Sequence, residues 1–189
     1  TAWEDGTLSC DLGRAAERAS ATSRRVATET GLAGTGRSVV AVGLDMAAAH
    51  LGPWKDARVL IVGTGAYAGA TVSALHALGA SDVSVYSTSG RAREFAQGRG
   101  IGWVSAADLP SALERADLVV TCRGLGSPIL TRDMAAQAGP TVVLDLALMR
   151  DTESSVASLP NITLIDLPTI QASVPAADAD ALTRARAII

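Results

Sequence analysis

The feature that most limits what this chain can fold into is a regular alternation of apolar runs and helical patterns after residue 57. The longer runs are rich in Val, Ile and Leu and lie at 58–62, 82–86, 117–121 and 141–146, with shorter ones at 102–104 and 162–165. Helical patterns lie between them at 66–79, 90–98, 110–116 and 131–137. Strands separated by helices pair in parallel and are covered on both faces. The order therefore predicts an α/β fold, a doubly wound parallel sheet of the Rossmann type.

The flanks of this alternation have a different composition, and we predict three parts. Residues 1–52 form helices that pack on or lead into the sheet domain, residues 53–172 form the Rossmann domain, and residues 173–189 begin a linker helix. Within the first part we expect a polar helix over 8–28, a glycine-rich loop at 31–37, and a helix from Val39 to about Leu51 that Ser38 caps. The last stretch has no helix stop signal, so we expect the chain to be a piece of a longer protein.

Composition excludes several classes of protein. The chain has 189 residues, of which 48% are hydrophobic and 19% charged, enough for a packed core. A net charge of −3 argues against a dedicated nucleic-acid-binding surface. No apolar run approaches the ~20 residues of a membrane span, and Cys10 and Cys122 are the only cysteines. We therefore expect no membrane contact and a cytoplasmic location.

A glycine-rich turn follows the first predicted strand and opens the next helix. Its residues are Gly63, Thr64, Gly65, Ala66, Tyr67 and Ala68, which fit the pattern G-x-G-x-x-G/A. The first glycine allows the tight turn, the second lets a pyrophosphate approach the backbone, and the third small residue lets helix and strand pack closely. The helix N-terminus then presents free N–H groups and the positive end of its dipole. The turn predicts a dinucleotide site; the alternative is a purely structural turn.

The end of the second strand bears on which dinucleotide is bound. An NAD site usually places an acidic residue there, whereas this chain has Ser87, Thr88 and Ser89, followed by Arg91 and Arg93. Hydroxyls and guanidinium groups suit the 2′-phosphate of NADP. We therefore predict NADPH as cofactor; the alternative is that both arginines are solvated on a helix surface.

Several segments resemble glutamyl-tRNA reductase, the enzyme family that begins tetrapyrrole (porphyrin) biosynthesis. They are RRVATETG (24–31), SVVAVGLDMA (38–47), VLIVGTGAYA (59–68), RAREFA (91–96), ADLVVTCRGLGSPIL (116–130) and LDLALMRD (144–151). The last is similar to the family signature Asp-Ile-Ala-Val-Pro-Arg-Asp. The matches run in order over about residues 8 to 170, the NADPH-binding middle domain and its linker helices.

The chain departs from the family pattern at four places. Ala66 and Tyr67 replace Glu-Met, residues 87–89 replace Asn-Arg-Thr, Met149 replaces the signature proline, and residues 168–169 replace paired aspartates. The family's Thr-Cys-Asn-Arg nucleophile motif is not in the sequence. A thiol pKa is lowered by nearby positive charge or a helix N-terminus; Cys10 has neither, and Arg123 beside Cys122 is the one hint of such a charge. We predict no catalytic residue in this chain.

The resemblance implies the activity and the partners. A cysteine of a preceding catalytic domain takes the glutamyl group from its tRNA as a thioester, and hydride from NADPH bound here releases glutamate-1-semialdehyde. The nicotinamide ring would lie near Thr121, Cys122, Leu146 and Met149. The whole protein would be a homodimeric oxidoreductase that contacts glutamate-1-semialdehyde aminomutase, and this piece would be monomeric and inactive alone.

Two alternatives remain from the residues themselves. A shikimate-dehydrogenase-like NADP reductase shares this style of nucleotide domain, but it needs a catalytic lysine. Lys55 is the only lysine, and it precedes the first strand. A non-catalytic NADP-binding or scaffold module would explain the departures at 66, 88, 149 and 168–169. We predict no metal site, because His50 and His76 have no Cys or His at ligand spacing.

Overall fold

The computed structural model describes residues 14, 18, 21, 22, 39–139 and 141–173. In chain order the elements are α1 (Val39–Ala48), a 3-10 helix (Trp54–Asp56), β1 (Arg58–Val62), α2 (Ala66–Ala77), β2 (Asp82–Tyr86), α3 (Ala92–Gln97), β3 (Gly102–Trp103), α4 (Leu109–Arg115), β4 (Leu118–Thr121), α5 (Arg132–Ala136), β5 (Thr141–Asp145), a 3-10 helix (Ser154–Ser158), β6 (Ile162–Asp166) and α6 (Leu167–Ser173). Predictions for residues 8–13, 23–38 and 174–189, including Cys10 and the Ser38 cap, lie outside the described residues. Arg14, Arg18, Ala21 and Thr22 are helical, as predicted.

The six strands form one parallel sheet in the order β3-β2-β1-β4-β5-β6. Val59 of β1 pairs with Val83 of β2 on one side and with Leu118 of β4 on the other. The chain thus runs outward from β1 in one direction, crosses back, and continues outward from β4 in the other. In open α/β sheets ligands bind beyond the carboxyl ends of the strands where the order reverses, which here is between β1 and β4.

Both faces of the sheet are covered, as the continuous apolar runs predicted. One face packs against apolar side chains of α1, α2, α3 and α6: Val40, Leu44, Val72, Leu75, Phe95 and Ile170. The other face packs against those of α4, α5 and the second 3-10 helix: Leu109, Leu113, Ala135 and Val156. The strand side chains of β4 and β5 are buried along their whole length. The Rossmann prediction is confirmed.

Two helices differ from the sequence-based expectation. α1 ends at Ala48 rather than near Leu51, because the next amides bond only three residues back, Ala49 to Met46 and His50 to Ala47. α6 was not predicted, yet the carboxylate of Asp166 accepts hydrogen bonds from the Thr169 backbone N–H and hydroxyl at 3.0 and 2.6 Å. That is the bonding of a helix N-cap. No described helix is long and apolar enough to cross a membrane.

Candidate functional site

Gly63 fixes the turn between β1 and α2. Its φ of +133° is one that side chains with a Cβ rarely adopt, and its N–H donates to the Tyr86 carbonyl oxygen at 2.9 Å. A Cβ at this position would lie 3.0 Å from Sγ and 3.2 Å from the carbonyl oxygen of Cys122. Conformation and crowding together therefore require glycine, and they bring the end of β4 against the turn.

The N-terminus of α2 is open to solvent. Gly65 is its N-cap residue, no side chain caps the helix, and a Cβ on Gly65 would meet nothing within 4 Å. Ala66 and Tyr67 are exposed, Thr64 is half-buried, and Ala68 is fully buried against the sheet. The free N–H groups of this first turn are what an anion would bind.

The loop after β2 forms a small cluster of hydroxyl groups and one guanidinium group. The hydroxyl oxygens of Ser87 and Ser89 lie 2.9 Å apart, and Nε of Arg91 donates to Ser89 at 3.0 Å. Thr88 is exposed beside them. Arg93 does not belong to this cluster, since its guanidinium lies over the Trp103 ring, 5.8 Å from the centroid.

An open cleft of about 230 Å³ lies between the glycine turn and α3. It is lined by Thr64, Arg91, Glu94, Phe95 and Arg99. The guanidinium of Arg99 stacks on Phe95, 3.9 Å from the ring centroid, and donates to its carbonyl oxygen at 3.0 Å. Within the described part of the chain, neither Arg91 nor Arg99 forms an ion pair. The cleft therefore holds two positive charges beside one carboxylate.

Sequence reasoning missed Arg99. The signal that could have found it is helical spacing, because Arg91, Phe95 and Arg99 are four residues apart, the spacing of one helix face, although α3 itself covers only Ala92–Gln97.

The residues expected near the nicotinamide ring lie at the ends of β4 and β5, but with different exposure. The side chains of Thr121 and Leu146 are buried and that of Cys122 nearly so, while Met149 is exposed. The thiol of Cys122 lies 3.6 Å from the Val62 carbonyl oxygen. Burial, with the charges of Asp151 and Asp145, raises the pKa of Cys122 to about 12, so the thiol keeps its proton near neutral pH.

Apolar side chains rim this end of the sheet. Leu125, Leu148 and Met149 are all exposed, and Leu148 is 90% accessible. The rim flanks the place where the order of the strands reverses.

Two buried carboxylates hold the loops after β4 and β5. Asp145 accepts hydrogen bonds from the backbone N–H groups of Ala147, Asp151 and Thr152, so it anchors the loop after β5. Arg150 and Asp151 are neighbours in the sequence but pair with different residues. Arg150 binds Asp166 at 2.8 Å, and Asp151 lies 3.5 Å from the guanidinium of Arg123.

Lys55 lies in the 3-10 helix before β1, at the amino end of the sheet and away from this site. Among the described residues no cluster of His, Cys, Asp or Glu could hold a metal ion.

Fold and site together define a class: a dinucleotide-binding α/β domain of the Rossmann type, with a glycine turn at the reversal of strand order. The family model of shikimate / quinate 5-dehydrogenase matches residues 45–173. The chain belongs to this family, since the match covers more than half of it.

The relatives narrow this further. Glutamyl-tRNA reductase of Kocuria rhizophila is 42% identical over 189 residues, which are 100% of this chain and 43% of that protein. The chain thus spans less than half the length of this curated relative. The glutamyl-tRNA reductase structure from Methanopyrus kandleri has a TM-score of 0.66 and 25% identity, covering 96% of this chain and 46% of the other. The nucleotide-binding domain of the enzyme from Thermoplasma volcanium, 19% identical with a TM-score of 0.57, covers 78% of this chain and 96% of that domain.

The resemblance found in the sequence is confirmed: the homologues are glutamyl-tRNA reductases. The glutamyl-tRNA reductase match covers the whole chain, whereas the family model covers residues 45–173. A dehydrogenase domain of this kind implies a nicotinamide nucleotide cofactor.

Proposed function

We propose that this chain is the NADPH-binding part of a glutamyl-tRNA reductase. The observation that carries the proposal is the uncapped N-terminus of α2, which follows the turn at Gly63 and faces open space beside Gly65. A pyrophosphate placed there would accept hydrogen bonds from the free N–H groups and lie at the positive end of the helix dipole. The glycine at position 65 leaves the room that this approach needs.

The cleft beside the turn supports NADPH rather than NADH. The adenosine ribose would lie at the end of β2, where Ser87, Ser89 and Arg91 form one hydrogen-bonded cluster. Residues 87–91 include no acidic residue that could bind the ribose hydroxyls, as one does in an NAD site. Arg91 and Arg99 both line the cleft, and guanidinium binds phosphate by charge-assisted, paired hydrogen bonds. Glu94 lies in the same cleft, and the two guanidinium groups outweigh its single charge.

The reaction of the whole protein follows from the resemblance. A cysteine in another domain would hold the glutamyl group as a thioester, and this domain would hold NADPH with its nicotinamide ring near the ends of β4 and β5. Hydride transfer to the acyl carbon would then release glutamate-1-semialdehyde. A homodimeric whole protein, its contacts with glutamyl-tRNA and the aminomutase, and a cytoplasmic location belong to the same proposal.

Calorimetric titration with NADPH and NADH tests the proposal in three variants: Arg91→Ala, Arg99→Ala and Arg93→Ala. Loss of a charge-assisted hydrogen bond is worth roughly 1.5–3 kcal/mol, or about ten- to a hundredfold in affinity. We expect the first two variants to lose that factor for NADPH and to leave NADH unchanged. Arg93→Ala is the matched control on the same helix, because its side chain lies over Trp103, and it should bind as the unmodified chain does.

The outcomes separate the alternatives. Equal affinity for NADPH and NADH in the unmodified chain would remove the argument for the 2′-phosphate. Saturable binding of neither nucleotide would favour a scaffold module over the proposed function.

A further inference from the structure

Two buried carboxylates, those of Asp145 and Asp151, join the loops after β4 and β5. Asp145 is 2% exposed and Asp151 0%. The Asp145 carboxylate accepts N–H groups of Ala147 at 3.0 Å, Asp151 at 3.1 Å and Thr152 at 2.9 Å. These bonds hold residues 146–152 over the end of β5, and Asp151 therefore lies beside the end of β4.

Asp151 in turn holds the loop after β4. Its carboxylate accepts the backbone N–H groups of Arg123 and Gly124 and lies 3.5 Å from the Arg123 guanidinium. Its carbonyl oxygen accepts the N–H groups of Ile129 and Leu130 at 2.7 and 3.1 Å. One residue thus binds the loop at both of its ends.

This arrangement reaches the glycine turn through Cys122. Cys122 directly precedes the two N–H groups that Asp151 binds, and its Sγ and carbonyl oxygen face the position where a Cβ on Gly63 would lie. Asp145, Asp151, the backbone of 123–124, Cys122 and Gly63 therefore form one continuous series of contacts. It spans the gap between β1 and β4 where the strand order reverses.

Polar atoms without partners surround the same carboxylates. Thr121 Oγ1, Arg123 Nε and Thr152 Oγ1 are buried with no hydrogen-bond partner. Thr121 pairs in register with Asp145, and the N–H of Thr152 binds Asp145. Such atoms are unfavourable in a core made only for stability.

We propose that Asp151 is a positioning residue for the nicotinamide end of the dinucleotide. By holding the N–H groups of Arg123 and Gly124, it fixes the loop after β4 at a set distance from the glycine turn, and it does not touch the adenosine end. The proposal rests on the proposed function. It gives a role to the Asp151 carboxylate, which has no contact with solvent and binds a loop 28 residues earlier in the sequence.

The test compares ligands that share only one end. Calorimetry measures NADPH and 2′,5′-ADP, which lacks the nicotinamide half, on the unmodified chain and on Asp151→Asn. We expect Asp151→Asn to weaken NADPH by about tenfold or more and to leave 2′,5′-ADP unchanged. The matched control is Asp166→Asn, whose carboxylate binds Arg150 and Thr169 instead, and it should change neither affinity.

Equal weakening of both ligands, or of neither, would overturn the proposal. If Asp151→Asn does not fold, Arg123→Lys decides, because it removes the guanidinium contacts with Asp151 and with the Ser127 carbonyl oxygen, which hold the same loop. It should show a several-fold loss for NADPH alone, and unchanged binding of both ligands would again overturn the proposal.

Alkylation of Cys122 separates this inference from the proposed function. In a Cys10→Ser background, iodoacetamide should modify Cys122 at least several-fold faster in Asp151→Asn, since the loop is released and a negative charge beside the thiol is removed. If the unmodified chain binds no NADPH, the proposed function fails and the alkylation rate alone decides whether Asp151 fixes the loop. An unchanged rate there would overturn the positioning role.

Discussion

Gly63 and Gly65 show that one residue type serves two different needs within three positions. The fold requires glycine at position 63, because the φ of this residue and the nearby Cys122 exclude a side chain. Gly65 leaves space that nothing in the protein fills. Substitution at the first position should therefore affect stability, and substitution at the second should affect binding.

A pair of variants makes this distinction measurable. We expect Gly63→Ala to lower the free energy of unfolding by about 1–3 kcal/mol through backbone strain, measured by urea denaturation. Gly65→Val should abolish NADPH binding in calorimetry, because the side chain occupies the pyrophosphate's approach. Its unfolding free energy should fall by only about 1 kcal/mol, since Val is a poor helix cap. NADPH binding by Gly65→Val at the affinity of the unmodified chain would place the pyrophosphate elsewhere.

The Cys122 thiol predicts a loss of stability in alkaline solution. Its pKa is near the ordinary value of 9.0 in the unfolded chain and about 12 in the folded one. Between these values the unfolded state releases a proton that the folded state keeps, so ionisation favours unfolding as the pH rises. Stability should fall above pH 9 by up to about 1.4 kcal/mol per pH unit. Urea denaturation between roughly pH 8 and 10.5 should show this slope. We expect Cys122→Ser to fold normally and to show a smaller slope.

Sequence reasoning located these residues but not all of their partners. The glycine turn is a local pattern with a fixed spacing, so its six residues could be named in advance. Asp151 and Arg123 are a different case, because their contact joins two loops and depends on the order of strands in the sheet. Arg99 likewise became part of the cleft only through the stacking on Phe95.

At the scale of elements, the strands were the easiest part to predict. Strands buried on both faces are continuous apolar runs, and β1, β2 and β4 to β6 begin and end within one residue of the prediction. Short helices were harder, as α6 shows, because its cap at Asp166 and a proline in its first turn look like a loop in the sequence.

A clamp joins the amino ends of β1 and β4 and gives a second pH dependence. The Asp117 carboxylate accepts the Arg58 backbone N–H at 2.8 Å and two guanidinium bonds at 3.0 and 2.7 Å. The hydrogen bond from the Arg58 side chain lowers the pKa of Asp117 below 3.8, against the opposing effect of partial burial. A lowered pKa means that the clamp stabilises the fold above the pKa of the unfolded carboxyl and is lost as the pH falls through the folded one.

We therefore expect acid to weaken the fold more in the unmodified chain than in Asp117→Asn. Urea denaturation between neutral pH and about pH 3 should show a smaller decline in the free energy of unfolding for the variant. Asp166, whose pKa is also lowered, remains in both proteins and contributes equally to the comparison. Parallel declines would show that the clamp carries no pH dependence.

At the scale of the whole molecule, the chain spans 43% of the length of a curated relative, and the site proposed for its described residues is one for a nucleotide alone. Hydride transfer to an acyl group needs both a bound donor and an activated, correctly placed acyl thioester. The one described thiol is partly buried and has a raised pKa, which suits packing rather than attack on an ester.

We expect the 189-residue chain to bind NADPH but to form no glutamate-1-semialdehyde from glutamyl-tRNA. Chromatographic detection of the product, with a full-length glutamyl-tRNA reductase as positive control, makes the comparison. Turnover by this chain that Cys122→Ser stops would make Cys122 the nucleophile and contradict the proposed division of labour.

The strand order has a consequence for how the molecule is made. β1 finds β2 through one short helix, whereas its other partner, β4, is 59 residues away at the Arg58–Asp117 contact. Distant pairings close slowly, so a refolding chain passes through a stage in which β1 has one neighbour and one open edge. An apolar strand with an open edge pairs readily with another chain. The arrival of β4, rather than the strength of the finished sheet, then sets how concentrated a refolding solution can be before it precipitates.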